Sequence, residues 1–199
     1  MSDHGGRLPL LAADGLEPEQ QELYDEIARG PRAAGPFSVV DGDGHLLGPF
    51  NALLHAPGVG APVERLGAAL RFSGEIDART RELVICSVAA HWRSDYEWYT
   101  HSRMGRSVGV SPAELESVRD GQIPESASSS EVAALRLTLA LLRDRTVPVE
   151  VYAGVVDHHG ATGVVELCAL VGYYQLLGGM LAAADIPAPV SDDDAEGVQ

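Results

Sequence analysis

Lysine is absent from this 199-residue chain; all 14 basic residues are arginines. No side chain can therefore form a Schiff base, hold pyridoxal phosphate covalently or supply the lysine of a Walker-type phosphate loop. Positive charge is scarce as a whole: the net charge of −15 argues against a nucleic-acid partner, which requires a basic stripe. Cysteine is nearly absent too. Cys86 and Cys168 are too few for a disulfide framework or a cysteine-rich zinc site. Both stand in apolar runs and read as buried free thiols of a protein in a reducing cytoplasm. With 22 glycines and 12 prolines the chain is not of low complexity. Leu8, Leu10 and Leu11 are interrupted by Pro9, which is too short and broken for a secretion signal. The patterns GxGxxG, HExxH, GxSxG and CxxC are missing, so the expected chemistry uses side chains alone, without metal or organic cofactor.

What is present is helical punctuation. Pro18 opens a helix that closes at Gly30-Pro31, Pro49 to His55 makes a short helical turn, and Pro62 opens a helix to Phe72 with Val63, Leu66, Ala69 and Leu70 inward. Asp77 caps a helix whose Leu83, Val84, Ile85, Cys86, Val88 and Ala89 leave little polar face, so it should be central. Ser94 or Asp95 caps the next, which stops at Gly109, and Ser111-Pro112-Ala113-Glu114 is a capping box for a short helix ending at Gly121. Gln122 to Ser130 is polar and reads as a mobile linker before a helix from Glu131 to Arg145. Two further helices, Pro148 to His159 and Thr162 to Ala184, complete an all-α bundle. Within the latter, Leu167 to Ala184 lacks charge over 18 residues, the lower limit for a membrane span. Gly172, Gln175, Gly178 and Gly179 dilute it, so the expectation is a helix buried on all sides, in a core or a subunit interface, and no membrane contact.

One segment breaks the helical pattern. Near residues 37–50, β-branched residues flank Asp41-Gly42-Asp43-Gly44, the mark of an irregular or hairpin insertion. A calcium loop beginning at Asp41 would place Ala52 where a bidentate Glu belongs, so the turn reading stands. The organisation is then an N-terminal extension over 1–15, a single helical domain over 16–189 and an acidic disordered tail over 190–199, whose last eight residues carry four acids.

The densest polar cluster runs from Ser94 to Arg103. Glu97 and His101 stand four apart, on one helix face, and a carboxylate beside an imidazole suits a proton shuttle. Glu82, early in an apolar helix, either pairs with an arginine or carries a raised pKa suited to a general acid. The same spacing also describes an exposed Glu–His pair of small energetic weight. Arg81 and Arg103 could hold a substrate carboxylate or serve as ion-pair partners. Tyr96 and Trp98 could line an aromatic pocket or pack in a core, and His55 could approach the site.

Arg81-Glu82-Leu83 followed by Tyr96-Glu97-Trp98 and His101 resembles the carboxymuconolactone decarboxylase family, the all-helical group that also contains alkylhydroperoxidase D. Leu47-Gly48-Pro49-Phe50-Asn51, Leu54-His55-Ala56-Pro57, Leu66-Gly67, Leu70-Arg71-Phe72, His159-Gly160, Glu166-Leu167 and Gly172-Tyr173-Tyr174 extend the resemblance over roughly 16–189. It implies an alkylhydroperoxidase D-like helical bundle. The peroxidase branch of that family uses a CxxC pair, whose positions here are Ser94 and Glu97; thiol peroxidase chemistry is therefore disfavoured. The decarboxylase branch carries a Glu four residues before its His and Arg residues after it, as do Glu97, His101, Arg103 and Arg106. The resemblance thus implies a cofactor-independent enzyme acting by proton transfer on a small carbonyl or lactone acid. Glu82, Glu97 and His101 would be catalytic, and Arg81, Arg103, Trp98, His55 and Tyr96 would bind substrate. The same residues suit an isomerase, cyclase or dehydratase, or a non-catalytic ligand-binding oligomer. The resemblance also implies a homo-oligomer, a trimer or hexamer.

Overall fold

The structure, a computed structural model, describes residues 5–34 and 38–189. Phe37 and the acidic segment 190–199 lie outside the described residues. Eight α-helices follow one another: α1 (Pro18–Ala28), α2 (Pro49–Leu54), α3 (Pro57–Phe72), α4 (Ala78–Trp92), α5 (Asp95–Ser107), α6 (Pro112–Arg119), α7 (Ser129–Leu139) and α8 (Val149–Ala184). The all-α expectation holds, and the described residues contain no β-strand, only one antiparallel bridge between Val40 and Leu46.

Local chemistry sets most helix starts. The Asp77 carboxylate accepts from the amides of Arg79 and Thr80, both at 3.0 Å, and so caps α4. Ser111 with Glu114 and Ser128 with Glu131 form reciprocal capping boxes at α6 and α7. The Asp41 carboxylate is consumed inside its own turn, accepting from the amides of Asp43 and His45 at 2.9 Å, and pairing with His45 Nδ1 at 3.0 Å.

Helix α4 is the axis of the fold. It is buried from Leu83 to Ala89 and packs against α5, α6, α7 and α8, as its all-round apolar sequence requires. Ile85, Val88, Leu137, Leu167, Leu170 and Val171 form the largest core cluster, with Cys86 in a second one beside Leu83, Leu115 and Leu135. Residues before α1 pack on the bundle: Asn51 joins Leu11 N and Pro9 O, and Arg7 N donates to Ala184 O.

Four expectations need correction. Helix α3 begins at Pro57, with Pro62 inside it, and its inward stripe is Gly60, Glu64 and Gly67. Leu66 (45% exposed) and Ala69 face outward, because the small Gly60 and Gly67 let neighbouring chain come close and Glu64 meets a buried arginine. The segment 122–130 is tied down: Ile123 packs on the core and Ser126 Oγ donates to Glu114 at 2.8 Å. Cys168 is exposed on α8, whereas Cys86 is buried. Finally, α8 is long and apolar enough by composition to cross a membrane, with half of its most apolar window buried in the fold. It is not buried on all sides, since Val165 and Leu176 are 69% and 47% exposed. Its two predicted halves meet at Gly160, where φ of 67° and ψ of −176° break the helix in a region few other residues adopt.

Candidate active site

Helices α4 and α5 join through Arg93, in a left-handed conformation with φ of 51°, and the chain turns back so that α5 packs along α4. Glu82 on α4 thereby meets His101 on α5 across 19 residues of sequence. His101 Nδ1 lies 2.7 Å from Glu82 Oε2 inside the protein, both side chains being almost fully buried. With Glu82 ionised, Nδ1 carries the proton it donates to that oxygen, and Nε2 is the ring nitrogen left to face Glu97. Glu97, one turn before His101 on α5, brings its Oε2 to 3.4 Å from Nε2. Among the described residues the Glu97 carboxyl makes no hydrogen bond.

The two carboxyl groups are driven apart. Burial pushes Glu82 up, but His101, Arg71 and Arg81 outweigh it and hold the group below the ordinary glutamate value. Burial also pushes Glu97 up; His101 and Arg32 oppose it, Glu82 adds to it, and the group stays above the ordinary value. One imidazole is thus flanked by an acid that favours its anion and an acid that favours its proton.

These groups open onto a cavity of about 680 Å³. One wall is apolar, with Val39, Leu47, Phe50, Phe72, Met104 and Leu177; Tyr96, Tyr173 and Tyr174 add amphipathic rings, and Arg32, Arg71 and Arg81 add cations. Arg71 Nη1 and Arg81 Nε stand 3.7 and 3.9 Å from Glu82 Oε1, too far for good hydrogen bonds, and the buried Arg81 Nε has no partner among the described residues. Arg32 is held more closely, donating to Glu64 at 2.7 Å.

The sequence-predicted residues separate here. Glu97, His101, Arg81 and Tyr96 line the cavity, and Glu82 lies behind His101, bonded to it. Glu82, rather than the helix neighbour Glu97, makes the hydrogen bond to the imidazole, and Glu97 stands 3.4 Å from its other nitrogen. Arg103 does not line the cavity; its guanidinium stacks 3.7 Å from the Tyr99 ring centre and donates to Tyr99 O. Trp98 packs with the cluster of Leu83 and Cys86 under the guanidinium of Arg119, because its position on α5 faces away from Glu97. His55 Nε2 meets Pro9 O at 3.0 Å, engaged by the N-terminal segment. Arg71, Arg32 and Tyr174 were missed, although Leu70-Arg71-Phe72 and Gly172-Tyr173-Tyr174 already belonged to the resemblance. Cys86 lies behind the site, and burial with the nearby Glu82 and Glu97 pushes its thiol up, away from the reactive thiolate.

This arrangement defines an all-helical protein with a buried Glu–His–Glu cluster at the mouth of one cavity. Residues 57–140 match the carboxymuconolactone decarboxylase family. The full fold is alkylhydroperoxidase D-like. A Ralstonia eutropha protein described as an alkylhydroperoxidase AhpD core, peroxidase-related, shares 15% identity at a TM-score of 0.74, over 95% of this chain and 94% of its own. A complex of the debrominase Bmp8 with 2,3,4-tribromopyrrole shares 14% identity at 0.68, over 96% and 94%. An Agrobacterium tumefaciens protein associated with AhpD-type antioxidant defence shares 15% identity at 0.64, over 71% and 97%. At such identities the likeness concerns fold alone. No functionally curated protein matches the sequence.

Proposed function

We propose that this protein is a cofactor-independent enzyme that moves protons next to a carbonyl, by decarboxylation or related lyase chemistry on a carbonyl or lactone acid. The observation that carries the reading is the opposed pair of carboxyl groups on one buried imidazole. Loss of a carboxylate beside a carbonyl leaves an enolate, and its carbon must then be protonated. His101, fixed by Glu82 through Nδ1, presents Nε2 to the cavity and exchanges the proton; Glu97 keeps a second proton within reach. Arg71 and Arg81 have donors free to hold a carboxylate. Isomerisation, cyclisation or dehydration of the same substrate class would use the same groups. Glu97→Gln and His101→Ala should fold as the parent does and lose turnover of any substrate found by screening carbonyl acids. Full activity in both variants would overturn the assignment.

The same reading includes a homo-oligomer, a trimer or hexamer, working in the cytoplasm. Its support is the exposed apolar side chains Leu66, Phe72, Val165 and Leu176 on α3 and α8, more than a monomer gains from exposing. Light scattering should give a mass well above the 21.0 kDa of one chain; a 21.0 kDa particle at micromolar concentration would overturn it.

A further inference from the structure

Two adjacent tyrosines, Tyr173 and Tyr174, reach the cavity from α8, and their hydroxyl groups differ in what they touch. The ring planes are nearly perpendicular, at 82° with centres 5.2 Å apart. The Tyr173 hydroxyl is engaged by Arg32, which with Glu64 fixes it against Gly67. A methyl group at Gly67 would collide with both the Tyr173 hydroxyl and the Arg32 guanidinium, so that corner is closed. Tyr174 is different. It is 7% exposed, lines the cavity and meets the His101 ring edge to face at 5.0 Å and 86°, yet among the described residues its hydroxyl makes no hydrogen bond. A hydroxyl that faces a cavity without a protein partner is free to donate to a ligand there.

We propose that Tyr174 is a catalytic residue, donating a hydrogen bond to the oxyanion that forms when His101 Nε2 exchanges a proton with the adjacent carbon, and that the ligand is an enolisable carbonyl on an apolar or aromatic body. The proposal rests on the proton-transfer reading above. In the step, either a carbon–hydrogen bond breaks, its proton passing to His101 Nε2, or a carbon–carboxylate bond breaks, releasing carbon dioxide; the electron pair of the broken bond moves to the carbonyl oxygen. The oxyanion accepts the Tyr174 O–H without taking its proton. The electron pair then returns to carbon as His101 or Glu97 delivers a proton. A neutral donor suits this place, since Arg71 and Arg81 already lie on the Nδ1 side of the imidazole, around Glu82. Burial together with Glu97 and Glu82 keeps the Tyr174 phenol protonated well beyond ordinary tyrosine, so it donates throughout the working range. The 680 Å³ volume and the wall of Val39, Leu47, Phe50 and Phe72 fit a body larger than a small acid.

The probe is para-nitrophenol, whose phenolate mimics an enolate and reports its own ionisation by colour, compared with the neutral nitrobenzene. The parent should bind the phenolate in preference to nitrobenzene. Tyr174→Phe should lose about tenfold or more of phenolate affinity while nitrobenzene affinity is unchanged. A fluorotyrosine incorporated at the same position, a stronger donor in the same ring, should tighten phenolate binding, and it tests the idea even if the Phe variant folds poorly. Equal phenolate affinity in the parent and both altered proteins would overturn the role of Tyr174 while leaving the proton-transfer reading intact. A parent that does not prefer the phenolate would overturn both.

Discussion

Two arginine–carboxylate clusters meet on α4, and they differ in how completely their polar atoms are engaged. At one end, Arg79 joins Glu114 of α6 and Glu131 of α7; Ser126 Oγ donates at 2.8 Å to the Glu114 oxygen that Arg79 also holds, and the other two carboxylate oxygens accept from the amides of Ser111 and Ser128 at 2.8 and 2.7 Å. Arg79, with burial opposing, draws the Glu114 pKa down to about 2. One turn further along the sequence, Glu82 has only one close partner, His101; its arginines stand off at 3.7 and 3.9 Å, and Glu97 makes only the 3.4 Å contact to Nε2. Both clusters are built on glutamates and arginines, and the second adds a histidine. The first cluster is closed, so its atoms lock three helices together; the second keeps free donors and acceptors around a cavity, so its atoms can act on a ligand.

Exchanging the consequences of a break in each cluster tests this contrast. His101→Ala should lower kcat/KM by about 10³-fold, as expected for loss of a positioned acid–base group, a loss of activity far beyond the fall in Tm that comes from leaving Glu82 without its close partner. Arg79→Met should do the reverse, costing about 3 kcal/mol of stability, or roughly 10 °C in Tm, with kcat altered little in the protein that remains folded. Calorimetry beside steady-state kinetics separates the two. A His101→Ala protein that melts early but turns over normally would erase the distinction.

The opposed carboxyls make the pH profile the next test. Glu82 must be ionised and Glu97 protonated in the active form. Activity should therefore fall on the acid side as Glu82 gains a proton, at a pH below the ordinary glutamate range, and on the alkaline side as Glu97 loses one, above that range. Glu97→Gln should cost about 100-fold in kcat and remove the alkaline limb. Stability follows with its own sign. The folded state holds the Glu97 proton more tightly than the unfolded chain does, so its contribution is full below the ordinary value and declines as pH rises through the raised one.

Smaller effects mark the boundary of the site. A methyl group at Gly48, which sits at φ of 57° before α2, would strike the Tyr96 ring in the cavity wall, so Gly48→Ala should raise KM by about tenfold and leave kcat within a few-fold. Arg103→Gln should change kcat/KM by less than about threefold, because Arg103 stacks on Tyr99 outside the cavity.

Local signals account for what the sequence made legible. The caps at Asp77, Ser94 and Ser111 and the breaks at Gly30, Gly109 and Gly160 are short-range features, and they placed most of the helices. The four-residue spacing put Glu97 beside His101, and the place of an acid early in an apolar helix singled out Glu82. Long-range geometry was not legible. Nothing in the spacing says that Glu82 takes Nδ1 and Glu97 faces Nε2, since this depends on how α5 folds back on α4. Arg32 and Tyr174 approach from segments outside the run of Ser94 to Arg103. On α3 a stripe of Gly60, Glu64 and Gly67 defeats hydrophobic periodicity, because close approach and an ion pair with Arg32 replace apolar burial. Arg103 and Trp98 share the dense polar run with His101, yet the turn of the helix carries them to other faces.

The central claim is that one carboxyl beside His101 keeps its proton while the other gives it up. Infrared titration of the carboxylic C=O band tests it most directly. The account predicts a band that persists to higher pH than that of the surface carboxyls and is missing from the Glu97→Gln protein. A band that vanishes together with the surface groups, or that survives unchanged in Glu97→Gln, would contradict it.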